Sequence, residues 1–464
     1  MSHFFTPLLA AALSLAGSDG PTPEQEDANL RALHVSGANA WAGGDRGVIW
    51  RSMDAGRSWQ FQATPTALSL RGFSFLTDRI GWAAGGGIAA FTRTSVGVLL
   101  KTEDGGETWA RIDQTPLPAI VAVRFFTPDR GLIACEPTDA APSGLWTTED
   151  GGATWTNLRG PRLGHWRAAA LTGPERALLV GERGRIGLAN GGSLQPSPTA
   201  PGGLPALTAV TAHGKNVYAC GDGGRIWRSE TAGRAWEPVA GPLPDGSASR
   251  LAAGATADDL DLRGLWANGE TLAVCGAPGG LIFVRSADED GELKWSAGSV
   301  GGTAPLNAVA FAKTRGPGGA DSPYGLAVGD LGTIVRTPAA PADAAAAGWF
   351  TVRAGKRRAT TLALVADPAE TPFLTFATTA ADDGHRAVAF CPVRRDLGAA
   401  AVQTAGEQSR LDAAVQTAGG SAGLVGWDFP ISLPGSEENP TMLAGEWNER
   451  FEGPDGAGAA GQRL

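Results

Sequence analysis

The octapeptide TEDGGETW at 102–109 returns with a single change as TEDGGATW at 148–155. A chain that repeats itself this closely is constrained to an architecture of stacked copies of one small unit. The octapeptides are the most recognisable part of a longer outline. Over Leu30–Trp59 that outline is an apolar run, a turn, a second apolar run closing in glycine, another turn, a third run, and then Ser/Thr-x-Asp-x-Gly-x-x-Trp. It begins again at Leu70, Ile120, Trp166, Leu207, Leu262 and Leu306, and the copy from Leu207 to Trp236 matches the first most cleanly. Each unit reads as four short strands in an antiparallel meander. One such sheet cannot bury both its faces, so the copies are expected to stand radially as an all-β propeller of about seven blades over residues 29–355.

The composition agrees with many short strands and tight turns: 67 Gly, 31 Pro and 15 Trp against 2 Tyr, with 18% charged residues. A formal net charge of -9 and a pI near 5.2 argue against general attraction to nucleic acid or anionic lipid. The apolar run from Phe4 to Ala16, followed by small residues, reads as a signal peptide over residues 1–17, and so as export to an extracytoplasmic compartment. No other stretch is long and apolar enough for a membrane span. Cys135, Cys220 and Cys275 are expected at the same place in successive repeats. Stacked sheets lie about 10 Å apart, beyond disulfide reach, so these are read as buried free thiols.

The Asp-Gly-Gly signature raises the question of chemistry or bracing. Asp54, Asp104 and Asp150 are each placed to accept backbone N–H groups of their own hairpin, Gly56, Gly106 and Gly152 to take positive φ, and Trp59, Trp109 and Trp155 to pack between blades. In the fifth copy Thr231 replaces the aspartate while Trp236 remains; the sixth is degraded to SADEDGELKW, and the fourth and seventh lack the motif. Each aspartate stands alone on its own blade, which favours bracing over metal ligation. No cofactor is expected.

A second regularity points to function. The second residue of the innermost strand, which enters each blade at the rim of the central channel, is Arg31, Arg71, Arg167 or Arg263 in four copies; Thr208, Asn307 and Val121 fill the others. The loops between the second and third strands reach the same rim and bring Asp45 and Arg46, Glu182 with Arg183 and Arg185, Asp222 with Arg225, and Asp330. Guanidinium groups gathered at one opening are suited to hold carboxylates or phosphates by forked hydrogen bonds. The competing reading is that they pair with Asp45, Asp222 and Asp330 and merely close the ring.

The repeated signature resembles the Asp-box (BNR) repeat propellers, in particular the branch typified by the photosystem II stability and assembly factor. That resemblance implies a docking platform that binds a protein partner or an anionic ligand on its arginine-lined face. Asp-box propellers also include sialidases, whose chemistry needs an arginine triad, a tyrosine nucleophile and an acidic donor. Tyr218 and Tyr324 are the available tyrosines, and neither has that context.

After KRRATT the pattern changes. Residues 356–464 read as a small α/β domain, with strands at TLALVAD, HRAVAFCPV and AGLVGWDFP and helical runs at FLTFATTAADDG and QSRLDAAVQTAGG. The first unit resembles the opening of the PIG-L (LmbE-like) zinc deacetylases. There Asp367 and Glu370 would stand at the first two ligand positions and Ala369 in place of the catalytic aspartate, which implies a degenerate or truncated domain. The expected function is therefore a non-enzymatic exported scaffold, with a hydrolase, through the tail or through sialidase-like glycan hydrolysis, as the alternative.

Overall fold

Seven four-stranded antiparallel sheets follow one another along the chain, each a simple meander in sequence order. The computed structural model describes residues 20–355 except 90–91, 198–204, 243–256, 289, 301, 303 and 316–320, together with five strands beyond them. The innermost strands are Leu30–Ser36, Ser69–Phe75, Ile120–Phe125, Trp166–Gly173, Leu207–His213, Asp261–Asn268 and Leu306–Arg315, in blades 1 to 7. Each packs against the next, and blade 7 packs back on blade 1, so the blades close a ring.

The core is a set of layers between blades rather than one central mass. Second strands are buried on both faces, which is why they read as continuous apolar runs: in Asn39–Gly44 every residue after the first is buried. Alternate residues serve opposite neighbours. Trp41 joins Leu70, Ala83 and Leu100 of blade 2, whereas Ala42 joins Val328 and Ile334 of blade 7. The same placement recurs one blade on, and the rings of Trp41 and Phe75, and of Trp82 and Phe125, stack with centroids 3.8 Å apart.

The Ser/Thr-x-Asp-x-Gly-x-x-Trp hairpins connect third and fourth strands, at the end of the third strand remote from the channel mouth. Asp54 accepts the N–H groups of Arg57 and Ser58, both at 2.9 Å. Asp104 and Asp150 accept those of Thr108 and Thr154 at 3.0 and 2.9 Å. Gly56, Gly106 and Gly152 have φ of 78°, 94° and 98°. The indoles of Trp59, Trp155 and Trp236 donate to the carbonyls of Gly56, Gly152 and Gly233, and Thr231 takes the aspartate's part by accepting Ala235 N–H at 2.8 Å. The Trp109 indole N–H has no such partner; Trp41 of blade 1 instead donates to Gly105 O at 2.9 Å.

Two expectations are corrected. The three cysteines are free and buried, but they are not all equivalent. Cys220 and Cys275 each precede a glycine that pairs with the residue before the bulge, whereas Cys135 pairs with Ile120 and so occupies the glycine's own position. In the tail, the run expected to be helical contains the strand Phe376–Ala380, paired antiparallel with Arg358–Val365. The remaining tail strands among the described residues also pair antiparallel. Threonine-rich apolar runs of this length fit a strand as well as a helix, and local pattern does not separate them. The signal peptide expected at 1–17, the run QSRLDAAVQTAGG, Asp367 and Glu370 lie outside the described residues.

Candidate functional site

Every blade carries the same irregularity at the start of its innermost strand. In blade 1 the pairing steps from Leu30–Gly44 to Ala32–Gly43, leaving Arg31 as the additional, unpaired residue of a β-bulge. The equivalent steps leave out Arg71, Val121, Arg167, Thr208, Arg263 and Asn307. A bulge re-aims its side chain, and here all seven line one cavity of about 780 Å³ at the channel mouth.

The second wall of the mouth is built by the residue after each second strand. Its backbone N–H donates to the carbonyl just before the innermost strand: Asp45 to Asn29 at 2.9 Å, Glu136 to Ala119 at 2.9 Å, Glu182 to His165 at 3.2 Å, Asp222 to Ala206 at 3.0 Å and Asp330 to Pro305 at 2.9 Å. This seats a carboxylate beside the bulge in five blades. Blade 2 has Gly86 at that position and blade 6 has Ala277.

Three arginines are thereby engaged. Arg31 forks onto Asp45, at 2.6 and 2.7 Å, and Ser69 of blade 2 donates to the same carboxylate at 2.7 Å. Burial alone would raise the Asp45 carboxyl, but the hydrogen bonds from Arg31 and Ser69 outweigh it and hold the group below its ordinary value. Arg167 lies 3.7 Å from Glu182. Arg263, whose blade has Ala277 rather than an acid after its second strand, reaches Asp330 at 3.5 Å and donates to Asn307 Oδ1 at 3.2 Å. Asn307 in turn donates to Asp330 and to Leu30 O, both at 2.8 Å, so its amide ties the mouth to blade 1. Thr208 donates to Leu262 O of blade 6. Arg71 is exposed and has no hydrogen-bond or ion-pair partner among the described residues.

The arginine-rich reading of the rim needs adjustment. Glu136, Glu182, Asp222, Asp261 and Asp330 line the cavity beside Arg31, Arg71, Arg167 and Arg263, so the mouth is not a field of positive charge. Burial, and then the neighbouring Asp261, push the Asp222 carboxyl above its ordinary value, while Arg167 and Arg263 oppose the shift. Arg46, Arg183, Arg185 and Arg225 are exposed on the loops and do not line the cavity. Arg46 and Arg183 take φ of 58° and 57° at the second position of a tight turn, and Arg185 donates to Leu163 O. Glu136 and Asp261 were not singled out in the sequence. The signal for Glu136 was its place directly after a second strand; the signal for Asp261 was its place before Leu262. Tyr218 and Tyr324 lie off the mouth, donating to Gly269 O at 3.2 Å and Gly37 O at 2.7 Å of the adjoining blade.

No protein-family model matches the chain. A stretch of 87 residues, 19% of the chain, is 31% identical to the photosystem II assembly lipoprotein Ycf48 of Synechococcus sp. (strain CC9902) and spans 24% of that relative, about a quarter of its length. Among solved structures, YCF48 bound to D1 peptide superposes with a TM-score of 0.50 at 16% identity, over 67% of this chain and 93% of that one. In fold, the chain resembles Ycf48. A second Ycf48, from Cyanidioschyzon merolae, has a TM-score of 0.48 at 16% identity, over 67% and 95% of the two chains. The likeness to Ycf48 is thus one of architecture over about two thirds of the chain.

Proposed function

We propose that the propeller is a non-enzymatic docking scaffold that acts after export and holds a segment of a partner protein at its channel mouth. The observation that carries this reading is Arg71. It is an exposed guanidinium on a bulge, at the edge of a cavity wide enough for a few residues, in a ring where each other arginine already has its carboxylate. A guanidinium left open in a structured mouth is ready to accept a carboxylate from outside. The Ycf48 likeness supports the same use: that relative is a photosystem II assembly lipoprotein, and a solved Ycf48 is bound to a peptide. No helix among the described residues is long and apolar enough to cross a membrane.

The test presents the full chain to a tiled set of short synthetic peptides and follows binding by fluorescence anisotropy. Carboxylate-bearing peptides are expected to bind the wild type and to lose about tenfold or more in affinity with R71E, the scale of one charge-assisted pair. R46E, outside the cavity, leaves binding unchanged. Equal binding by R71E and the wild type overturns the proposal. Nothing in the described residues favours the hydrolase alternative over this reading.

A further inference from the structure

Around the mouth, blade 2 and blade 5 are mismatched in opposite senses. Blade 2 has an arginine on its bulge and, at Gly86, no acid beside it; a Cβ there would stand 2.4 Å from Val96 O, so the backbone itself occupies the carboxylate's place. Blade 5 has an acid, Asp222, and a threonine on its bulge. Beside Asp222, the start of the innermost strand of blade 6 adds Asp261. Neither carboxylate has a hydrogen-bond or ion-pair partner among the described residues.

The ring order fixes where these charges stand. With seven blades packed in sequence, blade 2 faces the boundary of blades 5 and 6 across the opening. The cations that act on Asp222 across the mouth are Arg167 and Arg263, and these already face Glu182 and Asp330. Over blades 4 to 7 two arginines stand against four carboxylates lining the cavity. On the other side Arg31 is cancelled by Asp45, and Glu136 accepts the Ser95 hydroxyl of blade 2 at 2.7 Å and keeps its charge; Arg71 is the arginine of the mouth without a hydrogen-bond or ion-pair partner among the described residues.

We propose that the mouth selects a dipolar polypeptide segment, which brings a carboxylate to Arg71 and a basic side chain to the Asp222–Asp261 wall opposite. This rests on the docking reading above and deepens it. An all-acidic segment meets one open guanidinium and is repelled by the facing wall, and an all-basic one finds Arg71 in its way. Complementary charge on both walls fixes the direction in which a segment lies and rejects like-charged competitors.

The experiment uses the full chain and neutral Gly/Ser peptides carrying a single Glu, a single Lys, or both at stepped separations, with affinity read by anisotropy at low and high salt. The best mixed peptide is expected to bind about tenfold tighter than the Glu peptide. D222N/D261N, which keeps the shape of both side chains, lowers the mixed peptide to the level of the Glu peptide and does not lower the melting temperature, since it removes two unpaired like charges. R71E removes binding of both. A mixed peptide no tighter than the Glu peptide, or one indifferent to D222N/D261N, overturns dipolar selection while docking on Arg71 stands. If no peptide binds, or R71E binds as the wild type does, docking at the mouth fails and this inference with it.

Discussion

Asp104 shows how much one side chain does within its own hairpin. It accepts the Thr108 N–H and hydroxyl and the Thr102 hydroxyl. Burial opposes its ionisation, but these hydrogen bonds outweigh burial and hold the carboxyl down at about 2. A folded-state value below the unfolded one means that the stabilisation is complete above about pH 4 and is lost as the pH falls towards 2. D104N is therefore expected to cost about 1 kcal/mol at neutral pH, a figure kept small by solvent exposure. Thermal melts over a pH series check it: the gap between variant and wild type should close between about pH 4 and pH 2. The role of Asp104 is readable from sequence because every partner lies within four residues. The Arg263–Asp330 pair is not, because its members belong to different blades and Ala277 gives no hint that Arg263 borrows an acid from its neighbour.

At the scale of the element, the second-strand glycine that pairs with the residue before the bulge in six of the seven blades matters for space rather than for φ. A Cβ on Gly221 would lie 2.0 Å from Ala206 O, and equivalent positions Gly44, Gly85, Gly181, Gly276 and Gly329 meet the same carbonyl at 1.9 to 2.1 Å. That carbonyl also accepts the N–H that seats the acidic residue at the mouth. G221A is expected to destabilise the protein by about 3 kcal/mol and to displace Asp222. Denaturant midpoints give the first effect. For the second, peptides that depend on Asp222 should weaken in the folded fraction of G221A. The sequence shows these glycines as ordinary turn signals, and only the strand pairing reveals the close approach. Blade 3 carries Cys135 in the same register. The bulges were legible in part: a Leu/Trp-Arg-Ala/Gly pattern at one register in four copies placed arginines at a rim, but not which of them would remain open. Arg46 and Arg183 are expected from sequence to reach the same rim from the loops between second and third strands, yet a tight turn sets them outside the cavity.

At the scale of the whole molecule, no strand is exchanged between the chain ends, because every blade is contiguous in sequence. The seam between blades 7 and 1 is held by side chains and loop backbone. Arg353 lies 3.5 Å over the Trp50 ring and donates to Gly332 O at 2.6 Å and Glu26 O at 3.0 Å. Tyr324 and Arg336 add donors to Gly37 O and Ala55 O. R353A is expected to lower stability by about 2–3 kcal/mol, read as a lower urea midpoint at unchanged slope. The count of blades was legible because the repeat is regular; the means of closing was not, since it depends on residues more than three hundred positions apart in sequence.

That contiguity has a temporal consequence. During synthesis six of the joints unite neighbours that leave the ribosome one after another, and each can form as soon as its second member is made. The seventh has to wait. Leu30 and its surroundings keep one flank bare until Val328 and Ile334 of blade 7 have been made, so the newborn protein carries an unsealed edge until its last blade emerges, and the circle shuts last.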